Sequence, residues 1–559
     1  MSGERLIYLP LGGAGEIGMN AYVYGYGPKG RERLILVDLG VAFPDMDTSP
    51  GVDLILPDIS WLIARLDRLE AIFITHAHED HIGALAHLYP QLNKVPVYAR
   101  RFTATIGRMK FEEAGLPKDA ITTVDARPHV VTAGPFQVQF VPVSHSIPES
   151  AALIIDSAGG RIVHTGDFKR DPTPIVGEGW SDALMEEIAA ERPVKALMCD
   201  STNVFSPHEG RSESTLLEPI SALIASAGGM VVATTFASNV ARLMTLAAAG
   251  IAAGRSVCLL GRAMKKMVSA SEISGVLPNF PRTITPEEAL DVPRRNLMLI
   301  VTGSQGERRA ASAQLSRGKY LGLEMKEGDM FLFSSKTIPG NERGVLQVVN
   351  AFSEMGVDIV DDTGGKYHVS GHANRPDLEH VHRLFLPDML LPMHGEHRHL
   401  REHVRLAHEA GIASKVATNG MMMDISGDVP VLAEHIEAGR VYLDGSVLVG
   451  ALDGVVRDRI RMALNGRVMV TVLLDEADKP LGEAWVELMG VSETGKGGRS
   501  LAETLEAELT EFVDRANAKL LSDDDKLNEA LRRIVRQVTM EEIGKKPEVT
   551  VVVSRLAME

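Results

Sequence analysis

The stretch Ala71-Ile72-Phe73-Ile74-Thr75-His76-Ala77-His78-Glu79-Asp80-His81 decides how the rest of this chain is read. Its first five residues read as a buried strand, and the apolar run Ile82 to Leu88 beyond it reads as a helix. Three imidazoles and the Asp80 carboxylate are thus packed onto one strand-to-helix turn. Transition metals favour imidazole and carboxylate ligands at short range. His76 and His78 alternate as strand residues do, so both can point at one ion. Asp80 and His81 lie just past the bend and can reach a second. A solvated polar loop gives no reason for this concentration of ligands at a strand end.

Three further polar residues close apolar strands elsewhere. Asp38 follows Leu34-Ile35-Leu36-Val37, His145 follows Phe140-Val141-Pro142-Val143-Ser144, and Asp167 follows Arg161-Ile162-Val163-His164-Thr165-Gly166. Strand ends are where parallel and mixed sheets expose their sites. Singly, each such residue is more often a satisfied polar group than a ligand; beside the histidine turn they make a coherent metal set.

The chain has 559 residues, too many for one hydrophobic core, so three or more domains are expected. No apolar run reaches the length of a membrane span. The start, Met1-Ser2-Gly3-Glu4-Arg5-Leu6, lacks a signal-peptide layout, and the two cysteines, Cys199 and Cys258, lie in apolar contexts outside any metal-binding pair. Both features fit a cytoplasmic protein with reduced thiols. The net charge of −16 argues against a polyanionic partner, but residues 229–345 carry 15 Lys and Arg against 9 Asp and Glu. A local positive surface is what a polyanion binder needs, although chance clustering on solvated helices explains that count equally well.

Strand signals dominate residues 1–213. Between 214 and 369, strands (230–235, 256–260, 296–301, 330–334, 357–361) alternate with helical stretches (240–253, 344–354), which implies βαβ units and a parallel sheet. Residues 370–450 return to histidine-rich chemistry, with Met389-Leu390-Leu391-Pro392-Met393 running into His394. Residues 451–464 read as a linker. Residues 465–559 read as a small α+β unit: a hairpin (468–475, 484–490), two amphipathic helices (501–520, 526–538) and a closing strand (549–554).

Taken together, Asp38, His76-x-His78-x-Asp80-His81, His145 and Asp167 resemble the metallo-β-lactamase fold, an αββα sandwich. Asp200-Ser201-Thr202-Asn203, His368-Val369-Ser370-Gly371-His372-Ala373 and Pro392-Met393-His394-Gly395-Glu396 resemble the motifs of the β-CASP nucleases. Their wording is similar to that of the bacterial ribonuclease J family over nearly the whole chain. The loop Ser206-Pro207-His208-Glu209-Gly210-Arg211 departs from that pattern. The expected fold class is therefore α/β: an αββα sandwich with an inserted parallel-sheet β-CASP domain and a small α+β C-terminal domain.

The resemblance implies a metal-dependent ribonuclease with two divalent ions per chain, zinc first, with manganese or magnesium as alternatives. His76, His78 and His145 would hold the first ion, Asp80, His81 and His394 the second, and Asp167 would bridge them. Asp38 would orient ligands from behind. His372 would protonate the leaving 3′ oxygen, with Asp200 holding its imidazole. Ser238, Asn239, His368, Ser370 and His372 would bind a 5′-terminal phosphate; an ordinary helix cap at Ser238 is the plain alternative. The implied activity is 5′-to-3′ exonuclease action preferring 5′-monophosphate ends, plus endonuclease action, in mRNA decay and rRNA maturation. Single-stranded RNA, a homodimer or homotetramer and an RNA-decay complex are the implied partners, with no membrane.

Arg308, Arg309, Arg317, Lys319 and Lys336 are candidates for an RNA backbone track or a solvated face. Asp45, Asp47 and Asp444 are candidates for a separate hard-cation site, against the commoner reading of exposed turn carboxylates. His380, His382, His397, His399, His403 and His408 read as solvated helix residues. The competing functions are a β-CASP nuclease acting on DNA, a small-molecule hydrolase, and a non-catalytic RNA-binding subunit.

Overall fold

The computed structural model describes residues 3–556, except Pro278, Pro339 and Thr363. Contacts divide the chain into two compact units, residues 1–42 with 56–440 and residues 43–55 with 441–559.

Two large sheets build the first unit. One has eight strands in the order Val431–His435, Met421–Asp424, Glu4–Gly12, Ala21–Pro28, Arg33–Val37, Leu69–Ile74, Val97–Ala99 and Ile121–Thr123. The other has seven, in the order Ala413–Ser414, Met389–Met393, Val194–Asp200, Gly160–His164, Ala151–Ser157, Phe136–Pro142 and Val131–Ala133. Their inward faces share one core, in which Tyr8, Tyr22, Tyr24, Ile35 and Phe73 of the first sheet meet Phe136, Phe140, Leu153, Met198 and Leu391 of the second. Side chains alternate across a strand, so the opposite faces need their own cover. Over the second sheet it comes from the helices Asp182–Glu191, Arg375–Phe385 and His397–Glu409. Over the first sheet the helix Arg101–Glu113 packs on the strands Val97–Ala99 and Ile121–Thr123, which completes a helix-sheet-sheet-helix layering.

Residues 217–360 form a third layer system around a five-stranded sheet. Its order is Ser256–Leu260, Leu297–Val301, Val231–Thr234, Met330–Phe333, Asp358–Val360, and every pairing is parallel. These strands are apolar on both faces because helices cover both. One core contains Leu299, Phe331 and Phe352, the other Val231, Leu243, Leu246 and Ile300.

In the second unit, strand Arg467–Asp475 pairs antiparallel with Trp485–Met489 and parallel with Glu548–Leu556. The helices Leu501–Arg515 and Asp524–Ile543 close its core through Leu505, Leu509, Leu531 and Val535. The structure draws 43–55 into the second unit, where the Asp53 amide donates to the Leu443 carbonyl at 2.8 Å. The expected linker contains a helix, Val455–Asn465, whose one buried residue is Val456.

Candidate active site

Six strands deliver the site. Asp38 follows Arg33–Val37, His76 and His78 follow Leu69–Ile74, His145 follows Phe136–Pro142, Asp167 follows Gly160–His164, Asp200 ends Val194–Asp200, and His394 follows Met389–Met393. Each leaves its strand at the carboxyl end, so both sheets empty their polar residues onto one edge. The backbone there is tightly wound: Asp38 and His394 adopt φ of 62° and 49°. A side chain on Gly40 would lie 1.7 Å from the Asp80 carbonyl oxygen, so only glycine lets the chain pass behind the histidine turn. The expected helix Ile82–Leu88 is two short turns, Glu79–Ile82 and Leu85–Leu88. Between them the Ala84 amide turns away to donate to the Leu39 carbonyl.

Two ligand sets lie side by side. His76, His78 and His145 form one, Asp80, His81, Asp167 and His394 the other, with the donor atoms of each set within 4.8 Å of one another. His78 Nδ1 lies 3.1 Å from His76 Nε2 and 3.0 Å from His145 Nε2. Two nitrogens bound tetrahedrally to one ion about 2 Å away sit roughly 3.3 Å apart, so the first triad has the spacing of a ligand set. Asp167 Oδ2 lies between the two sets, 3.3 Å from His81 Nε2, 3.4 Å from His394 Nε2, 3.8 Å from His145 Nε2 and 3.9 Å from His76 Nε2. Its other oxygen, Oδ1, is buried with no hydrogen-bond partner. A buried carboxylate oxygen without a hydrogen-bond partner is costly unless a cation satisfies it, and with Oδ2 of the same carboxylate facing four imidazole nitrogens these residues fit divalent metal.

Behind each imidazole a second group fixes the ring. His145 Nδ1 donates to the Gly371 carbonyl at 2.6 Å, and His394 Nδ1 donates to Asn20 Oδ1 at 2.8 Å. His81 Nδ1 lies 2.7 Å from Asp38 Oδ2, which also accepts the Thr75 hydroxyl at 2.9 Å. That hydroxyl in turn lies 3.0 Å from His76 Nδ1. Anchoring Nδ1 leaves the Nε2 lone pair free to face inward. His78 is reversed, with Nδ1 inward and Nε2 3.1 Å from the Ser238 hydroxyl. Asn20 is the functional residue that sequence reasoning missed. It is fully buried, it also accepts the Tyr22 hydroxyl at 2.7 Å, and its amide donates to the Asp80 carbonyl at 2.9 Å. The signal available was an amide directly preceding the apolar strand Ala21–Pro28.

The two halves differ in electrostatics. Burial, reinforced by the neighbouring imidazoles, holds His76 and His145 well below the ordinary histidine value, and burial takes His78 down to about 4. Three neutral rings are what a cation needs from its ligands. On the other side, burial opposes charge on His81, but Asp167, Asp80 and Asp38 outweigh it and hold the ring well above its usual value. Asp167 is itself held well below the carboxylate range, its burial overcome by His394, His81 and His372.

Beside the metal sets, His372 Nδ1 lies 2.8 Å from Asp200 Oδ2. Asp200 is held in turn by the Thr202 amide at 2.9 Å and hydroxyl at 2.7 Å, both on Oδ1. Burial works against a charged His372, yet the Asp200 carboxylate, with Asp167 and Asp80, pushes it up to about 9. Ser370 Oγ accepts from Asn203 Nδ2 at 2.7 Å and from the His372 amide at 3.2 Å. The helix cap falls on Asn239, whose side chain accepts from the Arg242 amide at 2.9 Å, and not on Ser238. The departing loop reaches this region through Arg211, which donates to the His368 carbonyl at 2.7 Å.

One expectation needs correction. His382, His399 and His403 are buried, whereas His397 and His408 are exposed. His399 and His403 share the inward stripe of the helix His397–Glu409 with Leu400, Leu406 and Ala407, and His403 Nε2 meets His382 Nε2 at 3.0 Å. Asp45, Asp47 and Asp444 appear in none of the metal-like clusters of the described residues. Asp45 accepts from the Asp47 and Thr48 amides, and Asp444 pairs with Arg459 at 2.7 Å, so the Asp45 and Asp444 carboxylates are already engaged.

Comparison with known proteins supplies the remaining findings. Residues 228–352 match the ribonuclease J β-CASP domain and residues 454–556 the ribonuclease J C-terminal domain. Residues 45–219 match the β-lactamase superfamily domain, and residues 365–417 the Zn-dependent metallo-hydrolase RNA specificity domain. The chain is 40% identical over 557 residues to a ribonuclease J of Sinorhizobium meliloti, covering 99% of this chain and 98% of that protein. It is 33% identical to ribonucleases J of Mycolicibacterium smegmatis (96% of this chain, 95% of the relative) and Thermus thermophilus (85% and 83%). A crystal structure of a protein of unknown function from Enterococcus faecalis shares the fold, with a TM-score of 0.53 at 17% identity, covering 75% of this chain and all of that one. No helix among the described residues is long and apolar enough to cross a membrane.

Proposed function

Because the chain belongs to the ribonuclease J family, we propose that this metallo-hydrolase nuclease cuts single-stranded RNA as a 5′-to-3′ exonuclease preferring 5′-monophosphate ends and also as an endonuclease. The observation that carries the reading is the convergence of seven donor side chains, from residues 76 to 394, beside the Asp200–His372 pair. We assign two divalent ions per chain, zinc first. His76, His78 and His145 would hold one, Asp80, His81 and His394 would hold the other, and Asp167 would serve both. When bound, such ions supply hydroxide at neutral pH and neutralise charge on the phosphate.

The chain's own residues do the rest. Asp38, Thr75, Asn20 and the Gly371 carbonyl hold the imidazoles in register, so the ligands do not reorganise during reaction. His372 donates a proton to the leaving 3′ oxygen, and Asp200 holds the ring through Nδ1. The products then carry a 5′ phosphate and a 3′ hydroxyl. Ser238, Asn239, His368, Ser370 and His372 form the 5′-end pocket, with the Asn239 side chain serving through the helix start that it caps. Residues 1–213 and 370–450 make up the metallo-β-lactamase domain, 214–369 the β-CASP domain, 451–464 a connector and 465–559 the C-terminal domain. A cytoplasmic role in mRNA decay and rRNA maturation, a homodimer or homotetramer, and membership of an RNA-decay complex complete the proposal.

The test is digestion of one RNA carrying a 5′ monophosphate, triphosphate or hydroxyl, with and without prior metal removal. Mononucleotide release fastest from the monophosphate and abolished by demetallation is the expected result. Undiminished hydrolysis by metal-free protein would overturn the assignment.

A further inference from the structure

We propose that Arg242 is a positioning residue that sets the tautomer of His368, so that His368 presents a fixed N–H donor to the 5′-terminal phosphate. The inference rests on the 5′-end pocket proposed above.

Arg242 lies in the first turn of the helix Val240–Ala252, and its side chain is fully buried. Its fork grips Glu213: Nε donates to Oε1 at 2.5 Å and a terminal nitrogen donates to Oε2 at 3.0 Å. The other terminal nitrogen donates to the Ser334 carbonyl at 2.7 Å and hydroxyl at 2.9 Å, and reaches the Tyr367 carbonyl at 3.4 Å. The guanidinium is therefore placed by Glu213 and Ser334, whatever His368 does. The same terminal nitrogen lies 3.3 Å from His368 Nδ1.

A guanidinium has donors only and keeps its proton in proteins. Facing a group that cannot accept, His368 Nδ1 is the acceptor of a shared N–H that also serves Ser334, which puts the proton of the neutral ring on Nε2. No hydrogen bond from the described residues reaches Nε2, and the residue is only half-buried. Burial together with Arg242, Lys336, Lys169 and Arg211 takes the imidazole down to about 3, so the ring stays neutral at pH 7. The Arg211 bond to the His368 carbonyl fixes the backbone as well. The outcome is a single N–H donor beside the Arg242–Glu213 and Lys169–Asp171 pairs and the Lys336 and Arg211 cations. A phosphate oxygen, which only accepts and is negatively charged, matches that donor; a 5′ hydroxyl carries no charge for those cations to act on.

The experiment uses the full chain labelled with ¹⁵N-histidine, its tautomers read at pH 7 from two-bond ¹H–¹⁵N correlations, with His368→Asn assigning the His368 signals. The Nε2–H tautomer is expected; a Nδ1–H tautomer or an imidazolium at His368 overturns the proposal. In parallel, Arg242→Met is expected to raise KM about tenfold on 5′-monophosphorylated RNA and less than twofold on 5′-hydroxyl RNA, with Arg242→Lys recovering part of the loss. An equal rise on both RNAs makes Arg242 merely structural and sinks the proposal. Should Arg242→Met fail to fold, the wild-type tautomer decides alone. His368→Asn separates the two readings. If it keeps the full monophosphate preference, the pocket itself is wrong; if it loses the preference while the wild type shows Nδ1–H, the pocket stands and the role of Arg242 falls.

Discussion

Replacing Asp200 by asparagine should remove the proton donor while leaving the metal ligands in place. The substitution preserves shape. Asp200 is 1% exposed, and its Oδ1 is already held by the Thr202 amide and hydroxyl, so the new carboxamide oxygen stays there and its NH2 faces His372 Nδ1. An NH2 only donates, which forces Nδ1 to accept and prevents the ring from carrying two protons in that orientation. The lost bond is buried, charge-assisted and 2.8 Å long. Such bonds contribute about 1.5–3 kcal/mol, a factor of roughly 10 to 150 in rate if spent wholly on the transition state. Losing general-acid help altogether costs about 10² to 10⁴. The expected fall in kcat for Asp200→Asn is therefore at least about 10², with metal content unchanged. The decisive assay compares ordinary RNA with RNA whose scissile 3′ oxygen is replaced by sulfur, a leaving atom that departs without a proton. The loss should shrink to under about tenfold on the sulfur substrate. An equal loss on both substrates, or loss of bound metal in the variant, refutes the general-acid assignment.

Three other outcomes follow from particular contacts. Asn20→Ala removes the acceptor that holds His394 Nδ1; chelator competition should show affinity for the second ion about 10- to 100-fold weaker, and unchanged affinity would exclude a supporting role for Asn20. Gly371→Ala places a methyl 2.7 Å from Ser146 Oγ and 2.9 Å from the His145 ring, so it should push the His368–Ala373 loop off His145 and lower kcat about 10- to 100-fold, as steady-state hydrolysis will show. Stability should fall on acidification through the His382–His403 pair. Burial takes His382 down to about 4 and His403 well below the ordinary value. Below about pH 6.5 the unfolded chain therefore binds protons that the folded one refuses until about pH 4. Stability is highest above that window and falls as pH drops through it, by about 2 kcal/mol at pH 5 from His382 alone. Urea unfolding at pH 7.5 and pH 5 checks this, and His382→Asn should flatten the slope by about one proton.

Legibility in the sequence followed distance along the chain. His76, His78, Asp80 and His81 are local neighbours on one turn, and Asp38, His145 and Asp167 each end an apolar run, so together they read as a set, whereas His394 joined it only through the family resemblance. The parallel sheet of residues 231–360 was legible for the same reason: strands buried on both faces leave continuous apolar runs. Histidine defeats that logic at 382, 399 and 403. It counts as polar in any pattern, yet packs as a neutral aromatic once another ring supplies its hydrogen bond, as His382 and His403 do for each other.

What the sequence determined by itself is therefore the parallel sheet of residues 231–360 and the gathering of His and Asp side chains at strand ends, because periodicity and strand-end chemistry are local properties, whereas the αββα layering was implied only by the family resemblance. Only the tertiary structure decided which nitrogen of each imidazole faces inward, that Asn20 supports His394 across 374 positions, that the Gly371 carbonyl anchors His145, and that Arg242 reaches His368. Those are pairings between single donors and acceptors far apart in the chain. A buried polar group must find a partner, but no pattern along the chain states which one.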